Sequence, residues 1–175
     1  MFQNKIWILG GSDEHKKYED VWNSSDGIVW NKVADSTNLG RHEGSYFLHF
    51  KDKILKLAED VWSSSDGLHW TKICDTIATN IYGYSPLIFD QQIWLIGCSR
   101  SGKFHSEVLH SKDGINWIQQ KTEWSPRGGA AVCVFKNKVF MTGGKYGGQD
   151  PNNLLETQFI YSNDIWCMEK LSVRQ

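Results

Sequence analysis

A polar turn that ends in tryptophan returns at regular intervals along the chain. Residues 24–30 read Ser-Ser-Asp-Gly-Ile-Val-Trp, residues 64–70 and 111–117 nearly repeat them, and residues 162–166 carry a worn fourth copy. Ser and Asp side chains accept hydrogen bonds from the amides that follow, and Gly adopts positive φ, so each copy predicts a turn between antiparallel strands. The turn residues that we expect to be structural are Asp26, Gly27, Asp66, Gly67, Asp113 and Gly114. Trp30, Trp70, Trp117 and Trp166 then mark four units with a period of 40 to 49 residues.

A polar pair followed by an apolar strand lies upstream of each turn. These pairs are Asn4-Lys5, Asp52-Lys53, Gln91-Gln92 and Asn137-Lys138. In three units the strand ends at a glycine, in Gly10-Gly11, Gly97-Cys98 and Gly143-Gly144, where a missing side chain suits a bend or a close backbone approach. The second unit has Leu57-Ala58-Glu59 instead, so we expect a short following loop there.

Another apolar segment precedes the polar pair in three units, at residues 45–50, 85–89 and 130–135. Its nearly continuous apolar character is typical of a strand that is covered on both faces. Each unit therefore predicts four antiparallel strands, A to D, and no segment has a helical period. Such sheets must stack on one another, which predicts an all-β protein, a β-propeller of about four four-stranded blades.

The expected blades span residues 1–38, 39–78, 79–123 and 124–175 of a single propeller, and the first blade lacks strand A because it opens at strand B with Phe2. About 15 strands result. Three arrangements stay open: a four-bladed ring, a ring of about eight blades made by two chains as a homodimer, or a fragment. Phe2 and Trp166 are the positions where a charge is expected to disrupt the two-chain ring.

The units resemble Kelch repeats, as in the central domain of galactose oxidase. The likeness rests on the strand that ends in paired glycines, on the tryptophan of the last strand, and on Ser-Pro-Arg-Gly-Gly at residues 125–129. The turns also resemble the sialidase Asp-box, with one residue fewer between Asp and Gly. Both resemblances imply a propeller that binds ligands through the loops at its blade ends.

The resemblance to galactose oxidase or sialidase does not extend to their catalytic residues. Galactose oxidase uses copper with tyrosine and histidine ligands, and sialidases use an arginine triad. The four arginines of this chain match no sialidase motif. We therefore expect a non-enzymatic interaction module for a protein, peptide or carbohydrate ligand. The alternative is a sugar-acting enzyme of the galactose oxidase-like or sialidase-like class.

Other site motifs are weak. Residues 97–103 match most of a phosphate-binding loop, but Phe104 stands at the hydroxyl position and no helix is predicted to follow. Cysteines and histidines lack zinc-ligand spacing, so no metal and no cofactor is expected. Cys98 and Cys133 lie in or beside strands, which predicts buried, unreactive thiols.

The charge pattern bears on partners and location. The net charge is -1 and no basic run is present, which argues against nucleic-acid and membrane partners. No apolar run approaches the roughly 18 residues of a membrane span. The four widely spaced cysteines do not suggest a disulfide scaffold. A cytoplasmic protein is expected, or a secreted one if a signal peptide was removed.

Candidate ligand-binding residues lie in the predicted loops. They are Trp124, Arg127, Arg41, His42, Tyr82, Tyr84 and Arg100. Aromatic and guanidinium groups on one rim suit carboxylates, peptides or sugar faces. Alternatively, Arg127 and Arg41 bond carbonyls of a neighbouring blade while Trp124 covers a blade edge.

Gly67→Val tests the turn assignment. Valine is strained at positive φ, so the variant is expected to unfold at a lower temperature without a selective loss of binding. Thermal denaturation measures this, and an unchanged melting temperature would show that the turn is misassigned.

Overall fold

The computed structural model describes residues 1–40, 44–150 and 153–169. These ranges contain β-strands and no helix, which confirms the all-β class. Accordingly, no helix in them is long and apolar enough to cross a bilayer. The chain divides into two compact units, residues 1–75 and 76–175.

The first unit contains two antiparallel sheets. Sheet I has three strands in the order β1-β2-β3, and sheet II has four in the order β4-β5-β6-β7. Their bounds are Ile6–Ser12 (β1), Lys17–Ser24 (β2), Asn31–Ala34 (β3), Tyr46–Phe50 (β4), Lys53–Leu57 (β5), Val61–Ser64 (β6) and Thr71–Cys74 (β7). Only three residues join β5 to β6, which confirms the short loop that was expected there.

The described part of the second unit contains twelve strands. Their bounds are Ile81–Tyr82 (β8), Ser85–Phe89 (β9), Gln92–Ile96 (β10), Cys98–Arg100 (β11), Lys103–His105 (β12), Val108–Ser111 (β13), Ile118–Gln120 (β14), Ala131–Phe135 (β15), Lys138–Thr142 (β16), Lys145–Asp150 (β17), Asn153–Tyr161 (β18) and Ile165–Glu169 (β19). Sheet III has the order β14-β13-β10-β9 and sheet IV the order β15-β16-β19.

Five further strands come from connections that the sequence predicted as loops. Strands β12-β11-β8 form a small sheet, and β17 pairs with β18 in a hairpin. The expectation of about 15 strands is therefore too low, since the described residues already form 19. The segment that resembles a phosphate-binding loop is the β11–β12 hairpin, with Ser101 and Gly102 at positive φ in its turn.

The hairpins between strands A and B turn one residue earlier than predicted. Pairs with positive φ at both positions are Gln3-Asn4, Asp90-Gln91 and Lys136-Asn137, as the tight turns of β-hairpins require. Phe2 bridges Lys5 and so ends strand A rather than opening strand B. The same position is Phe50 in sheet II, Phe89 in sheet III and Phe135 in sheet IV.

The three Ser-x-Asp-Gly turns share one hydrogen-bond pattern. In the first, the Gly27 amide donates to Ser24 Oγ (2.8 Å), and the amides of Ile28 and Val29 donate to Asp26 Oδ1 (2.8 and 2.9 Å). Gly27, Gly67 and Gly114 have φ of +79°, +81° and +78°. The indole N–H of the next tryptophan donates to the glycine carbonyl in every copy.

Trp166 does not belong to this series, which corrects the predicted register of the fourth unit. It lies on β19, which pairs with β16 as strand C does, and its indole donates to Asp164 two residues earlier (2.8 Å). Trp22 and Trp62 bond Asp20 and Asp60 in the same way. The sequence element Asp-x-Trp, rather than the worn turn, thus identifies strand C in sheets I, II and IV.

Sheets I and II pack through one face each. The face of sheet I that carries Phe2, Trp7 and Leu9 meets the face of sheet II that carries Ile54, Trp62 and Trp70. We call the first the Phe face; its phenylalanine is Phe2, Phe50, Phe89 or Phe135 in sheets I to IV. We call the second the Ile face; its first residue on strand B is Ile6, Ile54, Ile93 or Val139.

Sheets III and IV repeat this arrangement. Leu87, Phe89, Trp94 and Ile96 form the Phe face of sheet III. It packs on the Ile face of sheet IV, which consists of Val132, Val139, Met141, Trp166 and Met168. A Phe face therefore packs on an Ile face once in each unit.

The four thiols are free, but their burial differs from the prediction. Cys98 is buried, and burial raises the pKa of its thiol. Cys133 is exposed, so its expected burial is wrong. It lies on the Phe face of sheet IV, beside Phe140 and in line with Cys167, which is exposed as well.

Trp70 and Trp30 allow a matched test of face packing. Both indoles bond a turn glycine, but Trp70 is buried between two sheets whereas Trp30 is half-buried. We expect Trp70→Ala to lower the free energy of unfolding by about 4 kcal/mol and Trp30→Ala by clearly less in dilute solution. Urea denaturation compares the two variants, and equal losses would contradict the packing described.

Candidate functional site

A cleft of about 390 Å³ in the second unit is the candidate site. Its base is rich in glycine, and the lining glycines are Gly83, Gly102, Gly128, Gly129 and Gly147. Three aromatic side chains, Tyr82, Phe104 and Phe159, form the walls, and Lys145 contributes a cation. A concave surface that is mostly apolar with few polar groups is typical of a ligand site.

The segment 125–129 holds the base of the cleft in place. The Gly128 amide donates to the Lys145 carbonyl, and the Lys145 amide donates back to Gly128, both at 2.9 Å. The Gly129 amide donates to the Gly83 carbonyl at 2.8 Å. One segment thus fixes the end of β8 against the start of β17, and the loop that resembles a Kelch element lies at the site.

The walls are positioned by aromatic contacts. The rings of Phe104 on β12 and Phe159 on β18 meet edge to face, with centroids 6.3 Å apart. Lys145 Nζ lies 4.0 Å from the Phe159 ring centroid, a cation–π distance. Tyr82 on β8 is 52% exposed. Two walls are therefore held by neighbours while the Tyr82 ring stays open to a ligand.

Gly128 is required where the base meets a wall. A Cβ atom at this position would lie 2.8 Å from Phe104 Cε1 and 3.3 Å from the Gly83 carbonyl oxygen. Any side chain at this position would therefore force the Phe104 ring to shift. This close approach explains why the segment needs glycine there.

Arg127 lies beneath the cleft, with only 1% of its surface exposed. Its guanidinium donates to the Gly143 carbonyl (3.0 Å), to Ser125 Oγ (2.9 Å) and to both carboxylate oxygens of Asp164. This bidentate pair lowers the pKa of Asp164, and the Trp166 indole N–H lowers it further. The group therefore anchors segment 125–129 to sheet IV.

The other predicted residues lie at different places. Tyr84 is buried, and Trp124 packs edge to face on Trp166, with ring centroids 5.9 Å apart. The Trp124 indole N–H is buried and has no hydrogen-bond partner within the described ranges. Arg41 and His42 fall outside the described residues.

Arg100 belongs to a polar cluster on β11. Its guanidinium pairs with Glu107, lies 3.2 Å from His105 Nδ1, and reaches Gln119 at 3.3 Å. Burial and the Arg100 charge lower the pKa of His105. Where side chains are described, no group of three or more His, Cys, Asp or Glu residues is placed to hold a metal ion.

Of the predicted set, the structure brings Tyr82 and the segment around Arg127 to one cleft. Sequence reasoning missed Phe104, Lys145 and Phe159 as wall residues. The signal was present in the long connections 97–107 and 143–164, which exceed what a four-stranded repeat needs. Their role depends on hairpins that pair only once the sheets are formed.

Comparison with solved structures finds proteins of similar fold. The chain resembles the solved structure of YjhT, with a TM-score of 0.73 and 12% sequence identity. The match covers 95% of this chain and 65% of that one, so the chain spans less than two thirds of its neighbour's length. At this identity the likeness shows a shared fold alone. No protein-family model and no curated protein sequence matches the chain.

Asp164→Asn tests the anchor beneath the cleft. The lowered pKa of Asp164 means that the ionised group stabilises the fold above the ordinary aspartate pKa of about 3.9. This stabilisation is lost as the pH falls through the folded-state pKa. At about pH 7 we expect the variant to lose about 2 kcal/mol, since a buried guanidinium loses its charged partner.

The matched control is Asp75→Asn, which neutralises an exposed carboxylate 3.8 Å from Lys72. Urea midpoints are compared between about pH 7 and pH 2. The gap between wild type and Asp164→Asn should narrow toward the acidic end, and the control should show almost no gap. A gap that stays constant would contradict the assigned role.

Proposed function

We propose that the described sheets are blades of a Kelch-like β-propeller that serves as a binding module. Two observations support the architecture: antiparallel sheets of the A-to-D order recur, and the Phe face of one sheet packs on the Ile face of the next in both units. Radial stacking of such sheets is the propeller arrangement.

The proposed ligand is a peptide or protein segment that inserts an apolar side chain beside a carboxylate. The observation that carries this is the pairing of three aromatic walls with one lysine. Aromatic walls bury an apolar group favourably. A carboxylate near Lys145 forms a charge-assisted hydrogen bond, which is stronger in a partly desolvated cleft than in water.

The polar groups of the cleft favour a peptide over a sugar. A sugar presents several hydroxyls that each need a partner when they leave water. Ser99 Oγ already donates to the Lys103 carbonyl at 3.2 Å, and two base amides, of Gly128 and Gly129, bond carbonyls. The remaining side chains with polar atoms are Tyr82 and Lys145. This sparse set suits a ligand with one anionic group.

The rigid base favours binding without rearrangement. Segment 125–129 is held by backbone bonds on two sides and by the Arg127–Asp164 pair below. A preformed site loses little conformational entropy when its ligand binds. The cleft is therefore suited to recognition, with loops on a stable frame.

The test uses N-acetyl-phenylalanine, which carries an aromatic group and a carboxylate, and its amide, which lacks the charge. Amide NMR signals of the five lining glycines report binding. We expect the acid to shift them with a dissociation constant of about 1 mM, as is typical of a small fragment. Lys145→Met should weaken the acid about tenfold and leave the amide unchanged.

Tyr82→Ala should weaken both probes, because the wall contact does not depend on charge. Tyr46→Ala, a tyrosine of the first unit, is the control and should change neither. If methyl glycosides shift the same glycines more strongly than the acid does, the ligand is a sugar and the peptide proposal is wrong. No shift with the acid also overturns it.

A further inference from the structure

We infer that this chain binds a second copy of itself by packing the exposed Phe face of sheet IV on the exposed Ile face of sheet I. Each face belongs to a pair that mates elsewhere in the chain, and at each the partner is absent from the described residues. One exposed surface is a Phe face and the other is an Ile face, the two kinds of face that pack on each other in both units.

The Phe face is covered in three sheets and open in the fourth. Phe2, Phe50 and Phe89 are 5%, 6% and 5% exposed, whereas Phe135 at the same position is 59% exposed. Cys133 and Cys167 lie on this open face as well. An exposed aromatic at a position that is buried in every other copy indicates a missing partner surface.

The Ile face is covered in sheets II, III and IV and open in sheet I. Ile6 and Ile8 of sheet I are 39% and 46% exposed. Their counterparts are almost fully buried, at 4% and 8% for Ile54 and Lys56, 0% and 1% for Ile93 and Leu95, and 2% each for Val139 and Met141. Tyr18, Trp22 and Trp30 line a concavity beside Ile8. Sheet I therefore offers an aromatic groove of the kind that sheets II and IV use.

The packing of Phe faces on Ile faces within the chain identifies the partner. In each unit the Phe face of one sheet covers the Ile face of the following sheet, and within the described clusters no Phe face packs on a Phe face. A second copy supplies the missing surface to each exposed face without a new type of contact. Because the contact is head to tail, two copies close if it forms at both ends and extend into a longer assembly if it does not.

Phe2 and Trp166, which the sequence indicated as positions for disrupting such a contact, are unsuitable because both are part of the core. Phe2 is buried inside the first unit, and Trp166 packs between sheets III and IV, so a charge at either position would unfold the chain. Ile8 and Phe135 are exposed in the single chain. Ile8→Asp and Phe135→Asp therefore alter the proposed contact while the fold keeps its core.

Light scattering over about 1 to 200 µM protein tests the inference. We expect masses of twice 20.1 kDa or more as concentration rises. Ile8→Asp and Phe135→Asp should each weaken association at least about tenfold, because a charge is desolvated at the contact. The control, Ile160→Asp on β18, lies at an exposed position outside both faces and should associate normally.

Alkylation of Cys133 and Cys167 by iodoacetamide gives a second readout. Both thiols should react in dilute protein and become protected as it associates. Wild-type protein that stays at 20.1 kDa with reactive thiols overturns the inference. Protection at that mass would show closure within one chain and also overturns it, as does association that survives either charged variant. Circular dichroism of the variants establishes that they fold.

Discussion

Sheets I to IV each have two largely apolar faces, and a sheet of this kind is most stable when both are covered. Sheet-on-sheet packing through the Phe face and the Ile face is therefore the interaction on which the other features depend. It explains why tryptophan and phenylalanine recur at fixed positions, since large aromatic side chains fill the space between sheets. It also accounts for the exposure of Ile8 on the Ile face of sheet I and of Phe135 on the Phe face of sheet IV, since no described sheet covers those faces.

A second recurring interaction ties the strands to their loops. An aspartate at the start of strand C accepts a bond from the tryptophan two residues on and also binds a cation. Lys32 of strand D binds Asp20, and Lys72 of strand D binds Asp60 together with Lys56 of strand B. At Asp164 the cation is Arg127. Because Arg127 belongs to the segment below the cleft, the aspartate–cation pair of sheet IV also positions the candidate site. The connections between the main strands then supply the aromatic walls.

Much of the architecture was predictable from local chemistry. The turn motif specified its own hydrogen bonds, because Ser24, Asp26 and Gly27 act on amides within three residues. The four-strand order and the short loop after β5 followed from apolar runs and glycines. The register of Trp166 did not, since the worn turn and the Asp-x-Trp element both contain Asp164 and only strand pairing distinguishes them. For the site, the sequence indicated segment 125–129 and Tyr82 but not Phe104, Lys145 or Phe159.

The sequence by itself determined the repeating turns, the strand-forming segments and the need of each sheet for neighbours, because these depend on residues close together in the chain. Only the tertiary structure decided what the loops and faces become. Arg127, a candidate ligand contact by sequence, is enclosed by Gly143 and Asp164 from distant segments. Cys133 has the apolar setting of a core residue and is nonetheless exposed. Burial depends on whether another sheet covers a face, and no local pattern contains that information.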